Sequence, residues 1–190
     1  MKIFKMLSLI AFSFIVLQAT AQNDVPKGFN KGTLVLADNS TVNGYVKDNI
    51  KRDASVILLN NGKEKSFNGS ELVSAEINSN SFLCIKGDFF KVVSNGELSF
   101  LQKSSDASSK ATFNGTEAMF NDGTEGNPGD YFIYDSRSKL LKLVSKKNLD
   151  EVIARSFDGY TPAIEKAKTA YADITKLKDA VEIYNGRKGK

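Results

Sequence analysis

Short β-rich segments follow one another from Gly32 onward with only a few turn residues between them, and this spacing limits the possible fold most strongly. Asn60-Asn61-Gly62 closes one segment and Ser94-Asn95-Gly96 closes another. Asn-Gly pairs favour the positive backbone angles of tight hairpin turns. Parallel strands need crossover connections of a dozen or more residues, for which these turns leave no room. The spacing therefore predicts an antiparallel sheet that is rolled or folded over itself.

Alternation and β-branched content predict roughly eight to ten strands. Before the Ser-, Gly- and Asn-rich stretch 103–129, the predicted strands are Thr33–Leu36, Thr41–Val46, Ser55–Leu59, Lys65–Phe67, Leu72–Ile77, Phe82–Ile85, Phe89–Val93 and Glu97–Leu101. After it, a final hairpin is predicted from Tyr131–Tyr134 and Leu140–Val144.

Beyond this hairpin the apolar period changes from two to about 3.6, which is typical of helices. Asn148 is a predicted cap for a first helix, and Thr161-Pro162 is a predicted cap and first-position pair for the next. An apolar stripe then runs from Ile164 to Tyr184, and Asp173 is a candidate cap for a separate helix. We expect the stripe to pack on the sheet, with a coiled-coil seam for a partner as the alternative. Asn185-Gly186 is the predicted stop.

These elements predict an α+β fold: a curled antiparallel sheet, forming a partial β-barrel or roll, followed by two or three C-terminal helices. The alternative is a sandwich with helices closing one end. The predicted organisation is a signal peptide at 1–21, a disordered lead-in at 22–30, a single domain at 31–186 and a basic tail at 187–190.

The signal peptide is predicted from three features at the N-terminus. Lys2 and Lys5 form a positive segment, residues 7–17 are almost continuously apolar, and Ala19-Thr20-Ala21 is a small-x-small cleavage pattern. The apolar run is too short for a membrane span, which needs about 20 residues. We therefore expect export to the periplasm, the outer membrane or the medium, with no transmembrane span after cleavage and no lipid anchor.

The charge pattern argues against nucleic acid as a partner. The chain has 26 basic and 22 acidic residues, and removal of Lys2 and Lys5 brings the two numbers nearly level. Its lysines are scattered among acids, without the basic stripe and interleaved aromatics of a nucleic-acid groove.

The chain contains no His, the usual general base at neutral pH and a common metal ligand. Cys84 lies in the apolar segment Phe82–Ile85, which predicts a buried structural thiol rather than a nucleophile. Ser136 and Lys139 have the Ser-x-x-Lys spacing of acyl-serine enzymes, but they lie in a predicted turn rather than at a helix start.

Residues 103–129 are predicted to form a long mobile loop with one short strand near Phe113 or Met119. Within it, residues 121–130 gather oxygen atoms that could surround Ca²⁺. The spacing departs from an EF-hand, because Gly123 stands at a ligand position and Phe132 at the position of the bidentate Glu. An ordinary loop is therefore the favoured interpretation, and no metal ligand or cofactor is predicted.

The chain carries, in this order, the segments Gly32–Leu36, Gly44–Val46, Glu76-Ile77, the Tyr131 hairpin and the closing Val181–Asn185. The order of these segments resembles a group of exported proteins of unknown function common in Bacteroidota. The resemblance covers most of the chain after the signal peptide. It implies architecture and compartment, but no activity and no site residues.

Together these features predict an exported, non-enzymatic protein that binds a small ligand or an envelope partner. They predict no catalytic, cofactor-binding or metal residues. The alternative is a secreted hydrolase built on carboxylates such as Asp122, Glu125 and Asp130.

Overall fold

A computed structural model describes residues 25–108, 111–114, 117–120 and 123–187. The predicted signal peptide and residues 22–24 lie outside the described residues, as do residues 188–190 of the predicted tail. Among the described helices, none has both the length and the apolar character needed to cross a membrane.

Ten strands form one open antiparallel sheet, in the order β12-β11-β8-β7-β6-β5-β1-β2-β3-β4. A separate hairpin is formed by β9 and β10. The strands of the first half are β1 (Phe29–Leu36), β2 (Thr41–Asn49), β3 (Ser55–Asn60), β4 (Lys63–Asn68), β5 (Leu72–Ile77) and β6 (Asn80–Ile85). The others are β7 (Asp88–Ser94), β8 (Leu98–Lys103), β9 (Ala111–Asn114), β10 (Glu117–Phe120), β11 (Tyr131–Asp135) and β12 (Leu140–Val144).

The first half of the sheet bends back toward itself without closing. Gly69, just after β4, forms an isolated bridge to Gly87 in the β6–β7 turn. In a flat sheet β4 and β6 would lie about 24 Å apart, at five strand spacings. A Cβ on Gly69 would lie 2.1 Å from the carbonyl oxygen of Gly87, so only glycine permits this approach. The inner face is filled by a buried cluster that includes Leu34, Val46, Val56, Phe67 and Phe89, here called the second cluster.

The second half of the sheet is covered on one face by the C-terminal helices. The C-terminal helices are α2 (Leu149–Ser156), α3 (Thr161–Ala167) and α4 (Leu177–Asn185), with 3₁₀ turns at Lys168–Tyr171 and Ile174–Lys176. The short helix α1 (Ile50–Asp53) lies between β2 and β3. The stripe residues Leu177, Val181 and Tyr184 are fully buried against Leu98 and Phe100 of β8. These residues belong to one buried cluster, here called the first cluster. The stripe is therefore used within the chain, as expected.

The other face of this half carries the third cluster, in which Phe90, Leu101 and Phe132 are buried. Gly126 covers part of this face, because a Cβ there would lie 3.1 Å from Cζ of Phe132 and 3.3 Å from Cδ1 of Leu143. A loop segment, rather than a helix, therefore packs on this side of the sheet.

The antiparallel sheet and the helices that follow it are confirmed, and the sheet is open. Asp173 caps the second of the two 3₁₀ turns, since its side chain accepts a hydrogen bond from the backbone N–H of Thr175 at 3.0 Å. Asn148 stands at the start of α2, but its side chain turns back to Ser145 and Leu143 instead of capping the helix. Residues 29 and 30, placed in the predicted lead-in, belong to β1.

Candidate functional site

The structure places Cys84 and the Ser136–Lys139 pair in ordinary structural roles. Cys84 lies in β6, partly buried against the second cluster, and burial raises its pKa to about 12. Ser136 lies in the β11–β12 turn, where its hydroxyl donates to the carbonyl oxygen of Glu97 at 3.0 Å. Lys139, in the same turn, is exposed and has a positive φ of 59°. Neither residue lies at a helix start, as an acyl-serine site would require.

Two of the carboxylates named for the alternative hydrolase, Glu125 and Asp130, lie among the described residues. Glu125 is exposed, and Asp130 accepts a hydrogen bond from the N–H of Asn127 at 2.8 Å within its own turn. Asp122 lies outside the described residues. In the described part of the chain, no three or more His, Cys, Asp and Glu side chains are placed to hold a metal.

Both ends of the predicted mobile loop are held by a buried ion pair, here called the Lys103 cage. Nζ of Lys103 lies 3.1 Å from Oδ2 of Asp88, and both side chains are fully buried. The Asp88 carboxylate also accepts hydrogen bonds from the N–H of Ala107 at 2.6 Å and of Thr124 at 2.8 Å. The hydroxyls of Thr124 and Ser105 donate to it as well, at 2.7 and 3.4 Å. The expectation of mobility is therefore wrong for these ends, because buried charges fix them.

Three backbone carbonyl oxygens from the segment considered as a calcium loop accept hydrogen bonds from the ammonium group of Lys103. Nζ donates to the carbonyl oxygens of Thr124 at 2.8 Å, Glu125 at 3.3 Å and Gly126 at 3.0 Å. Hard cations are bound by such carbonyl and carboxylate oxygens, and an ammonium group uses the same ligands. The cage thus holds its own cation, and its hydrogen-bonding groups are engaged within the protein.

A cleft of about 710 Å³ lies at one end of the helix-covered half of the sheet. We call it the arginine cleft. Four segments that are distant in sequence form it: the β7–β8 turn, the β11–β12 turn, the α2–α3 connection and the end of α4. Its lining residues are Glu97, Arg137, Asp158, Gly159, Tyr160, Thr161, Pro162, Tyr184, Asn185 and Arg187.

Two guanidinium groups meet one carboxylate in the wall of the cleft. Nη2 of Arg137 lies 3.0 Å from Oε1 of Glu97, and Nη2 of Arg187 lies 2.5 Å from the same oxygen. Desolvation acts to lower the pKa of Arg137, but its charge interactions with Glu97 and Tyr184 outweigh this, so that its pKa is raised. Arg137 therefore stays positively charged at any physiological pH.

Asn185 fixes the β7–β8 turn that carries Glu97. Its side-chain oxygen accepts from the N–H of Leu98 at 3.0 Å, and its side-chain nitrogen donates to the carbonyl oxygen of Leu98 at 2.8 Å. The amide thus pairs with the backbone as a neighbouring strand would. Gly96 is needed beside it, because a Cβ there would lie 2.3 Å from Nδ2 of Asn185.

Tyr184 contributes the one orphaned group that is found among the buried side chains of the described residues. Its side chain is fully buried, and its hydroxyl has no hydrogen-bond partner of normal geometry. The ring packs against Phe157 and Tyr160, with the guanidinium of Arg187 stacked 3.4 Å from the ring centroid. The hydroxyl lies beside Arg137, and a charge interaction and a side-chain hydrogen bond between the two help to raise the pKa of that guanidinium, which can only donate. Buried polar groups are nearly always paired, so an orphaned hydroxyl beside a cleft indicates a missing partner.

Sequence reasoning did not predict either site. Arg187 was assigned to the basic tail, and Tyr184 and Asn185 were interpreted as helix stripe and helix stop. A signal in the sequence was present at the cage: Asp88 directly precedes Phe89-Phe90, and Lys103 follows the segment Leu98–Leu101 after one residue. A charge at an inward strand position requires a buried partner.

The chain matches no protein-family model, no curated protein and no solved structure.

Proposed function

We propose that this chain is an exported, non-enzymatic protein that binds a small ligand in the arginine cleft. The observation that carries the proposal is the buried hydroxyl of Tyr184, whose hydrogen has no acceptor among the described residues, in the wall of a cleft lined by charged side chains. Leaving such a hydroxyl unpaired costs about 1–3 kcal/mol, which a bound ligand can recover. The volume of about 710 Å³ is in the range of small-molecule sites.

The groups in the cleft favour binding over catalysis. Guanidinium groups donate hydrogen bonds but do not exchange protons near neutral pH, so Arg137 and Arg187 are unsuited to general acid–base work. Both of them bond to Glu97, which is thereby part of the cleft wall. The sequence has no His to supply the usual base.

The curved half of the sheet supports the same location for the ligand. We regard this half as a partial barrel whose interior is occupied by the second cluster. A barrel that binds a ligand inside needs an interior that its own side chains do not fill. Binding is therefore better placed at the arginine cleft, outside the sheet.

The export part of the proposal rests on residues 1–21 and on the resemblance to exported proteins of Bacteroidota. An envelope protein that presents a suitable side chain or chain end is the other kind of partner we propose. The final compartment is the periplasm, the outer membrane or the medium.

Two measurements test the proposal. Intact mass of the protein from the envelope and medium of an expressing bacterium should correspond to a chain that begins at Gln22, and a dominant species that retains Met1 would contradict export. Two-dimensional ¹⁵N NMR with a library of small polar compounds should shift the backbone signals of Gly159, Asn185 and Arg187. Compounds recovered chemically unchanged support binding, whereas turnover of a bound compound would show an enzyme. A library without effect on these signals counts against a ligand site here.

A further inference from the structure

The hydroxyl of Tyr184 restricts which group of a ligand can reach it. A phenol both donates and accepts hydrogen bonds, whereas a guanidinium group can only donate. The charged neighbour of this hydroxyl is Arg137, which can serve the phenolic oxygen but not the phenolic hydrogen. The group still lacking is therefore an acceptor. A ligand that completes this site must bring an oxygen with free lone pairs.

The charges around the hydroxyl favour an acceptor that is negatively charged. Arg137 is 57% exposed and Arg187 is 22% exposed, so the guanidinium of Arg137 in particular has donors left for a ligand. Arginine binds planar oxyanions with two parallel hydrogen bonds. Because the side chain of Arg137 is more than half exposed, it can shift and let a ligand oxygen reach the covered hydroxyl.

The charges around the cleft disfavour a doubly negative ligand. Its charged lining residues are Arg137 and Arg187 against Glu97 and Asp158, which sum to zero, and Asp135 adds a carboxylate 3.6 Å from Nε of Arg137. A dianionic phosphate would meet two carboxylates without a surplus of positive charge. A carboxylate matches the planar guanidinium and carries only one charge.

We propose that the arginine cleft binds a small organic molecule through a carboxylate group, which bonds to Arg137 and accepts the hydrogen of the Tyr184 hydroxyl. Tyr160 and Pro162 supply an apolar wall for the body of the molecule. This inference rests on the proposed function, since it names the chemical class of the ligand at the same site.

The test compares acids with their neutral amides. The probes are N-acetylated forms of the common amino acids, each used as the free acid and as the C-terminal amide, with phenyl phosphate as the phosphate probe. Binding is followed by ¹⁵N NMR titration of the full mature chain. We expect at least one acid to bind at the cleft with an affinity at least tenfold above that of its amide and above that of phenyl phosphate. Acetylated tripeptides with the same final residue distinguish a peptide C-terminus from a small free acid.

Two variants and a control locate the carboxylate. Arg137→Gln should weaken acid binding at least tenfold and leave amide binding unchanged, and Tyr184→Phe should weaken acid binding severalfold. Arg155→Gln removes an exposed arginine that pairs with Glu151 outside the cleft, and it should have no effect. The ¹⁵N spectrum of each variant reports whether it is folded.

Each outcome decides between the proposals. Acids and amides that bind equally at the cleft would overturn the carboxylate while supporting a ligand site. Stronger binding of phenyl phosphate would overturn it in favour of phosphate. If no probe shifts the cleft signals, the carboxylate inference and the small-ligand function are both wrong. Equal losses in Arg137→Gln and Arg155→Gln would indicate nonspecific charge attraction and overturn the assigned contact.

Discussion

The Lys103 cage and the arginine cleft are both built from opposite charges, but only the cage is complete. In the cage, Asp88 and Lys103 are fully buried and are surrounded by backbone and hydroxyl partners from the protein itself. In the cleft, Arg137 is mostly exposed, and the hydrogen of the Tyr184 hydroxyl has no acceptor among the described residues. A complete buried site holds a fold together, whereas an incomplete one beside a cleft has capacity for a ligand.

The largest effect is expected from breaking the cage. Lys103→Met keeps an unbranched side chain that is one atom shorter, and it leaves the Asp88 carboxylate buried without its counter-charge. Removal of one partner of a buried ion pair costs about 3–5 kcal/mol. Urea unfolding should show this loss of unfolding free energy.

Two comparisons control this experiment. Lys142→Met removes the lysine of a partly exposed pair with Glu151, and it should cost less than about 1 kcal/mol. Adding Asp88→Asn to Lys103→Met should recover part of the loss, because the uncompensated charge is then gone. A Lys103→Met variant as stable as Lys142→Met would show that the cage does not stabilise the fold.

The cage also shows where sequence reasoning succeeds and where it stops. The strand Leu72–Ile77 was predicted with its observed bounds, and the Asn61-Gly62 turn has the expected positive φ at both residues, 50° and 73°. Alternation and turn chemistry are local, so they can be read from neighbouring residues. The pairing of Asp88 with Lys103 depends instead on the register that places Phe90 opposite Lys103.

The cleft escaped sequence reasoning for a related reason. Glu97, Arg137 and Arg187 meet only because β8 lies between β7 and β11 and α4 ends beside the β7–β8 turn. No spacing along the chain indicates this meeting. The composition of 103–129 was misleading as well, because the backbone carbonyl oxygens of Thr124, Glu125 and Gly126 bind a buried ammonium group.

The second largest effect on the unfolding free energy is expected at Asn185, which joins the end of α4 to the β7–β8 turn. Asn185→Ala removes the amide that pairs with both backbone groups of Leu98 and with the carbonyl oxygen of Asn95. Unpaired backbone groups at this partly buried position should lower the unfolding free energy by about 2 kcal/mol. Asn127→Ala, on an exposed turn, is a suitable control and should change stability little. Equal stabilities would show that water replaces the amide without cost.

A smaller effect is expected from shortening the chain between the two ends that the cage holds. Ser108 lies beside Gly123, since a Cβ on Gly123 would be 2.9 Å from Cβ of Ser108. Replacing residues 109–122 by two glycines should therefore change stability by no more than about 1 kcal/mol, because loop-closure entropy varies slowly with length. Deleting all of 103–129 removes Lys103 and should prevent folding. Circular dichroism and urea unfolding of both deletions test the contrast, and two equally stable products would contradict it.

The smallest effect on stability is expected from removing the hydroxyl of Tyr184, which is proposed to bind the ligand in the cleft. Tyr184→Phe removes one oxygen and keeps the ring, with its packing against Phe157 and the stacked guanidinium of Arg187. Because no described group accepts the hydrogen of this buried hydroxyl, its loss should leave the unfolding free energy unchanged or raise it by up to about 1 kcal/mol. Tyr131→Phe is the matched control: its hydroxyl accepts a hydrogen bond from Nε2 of Gln102 at 3.2 Å, and its loss should cost about 0.5–1.5 kcal/mol. Urea unfolding of both variants gives the comparison directly. If Tyr184→Phe costs as much as Tyr131→Phe, the hydroxyl already has a partner within the protein, and the cleft is as complete as the cage.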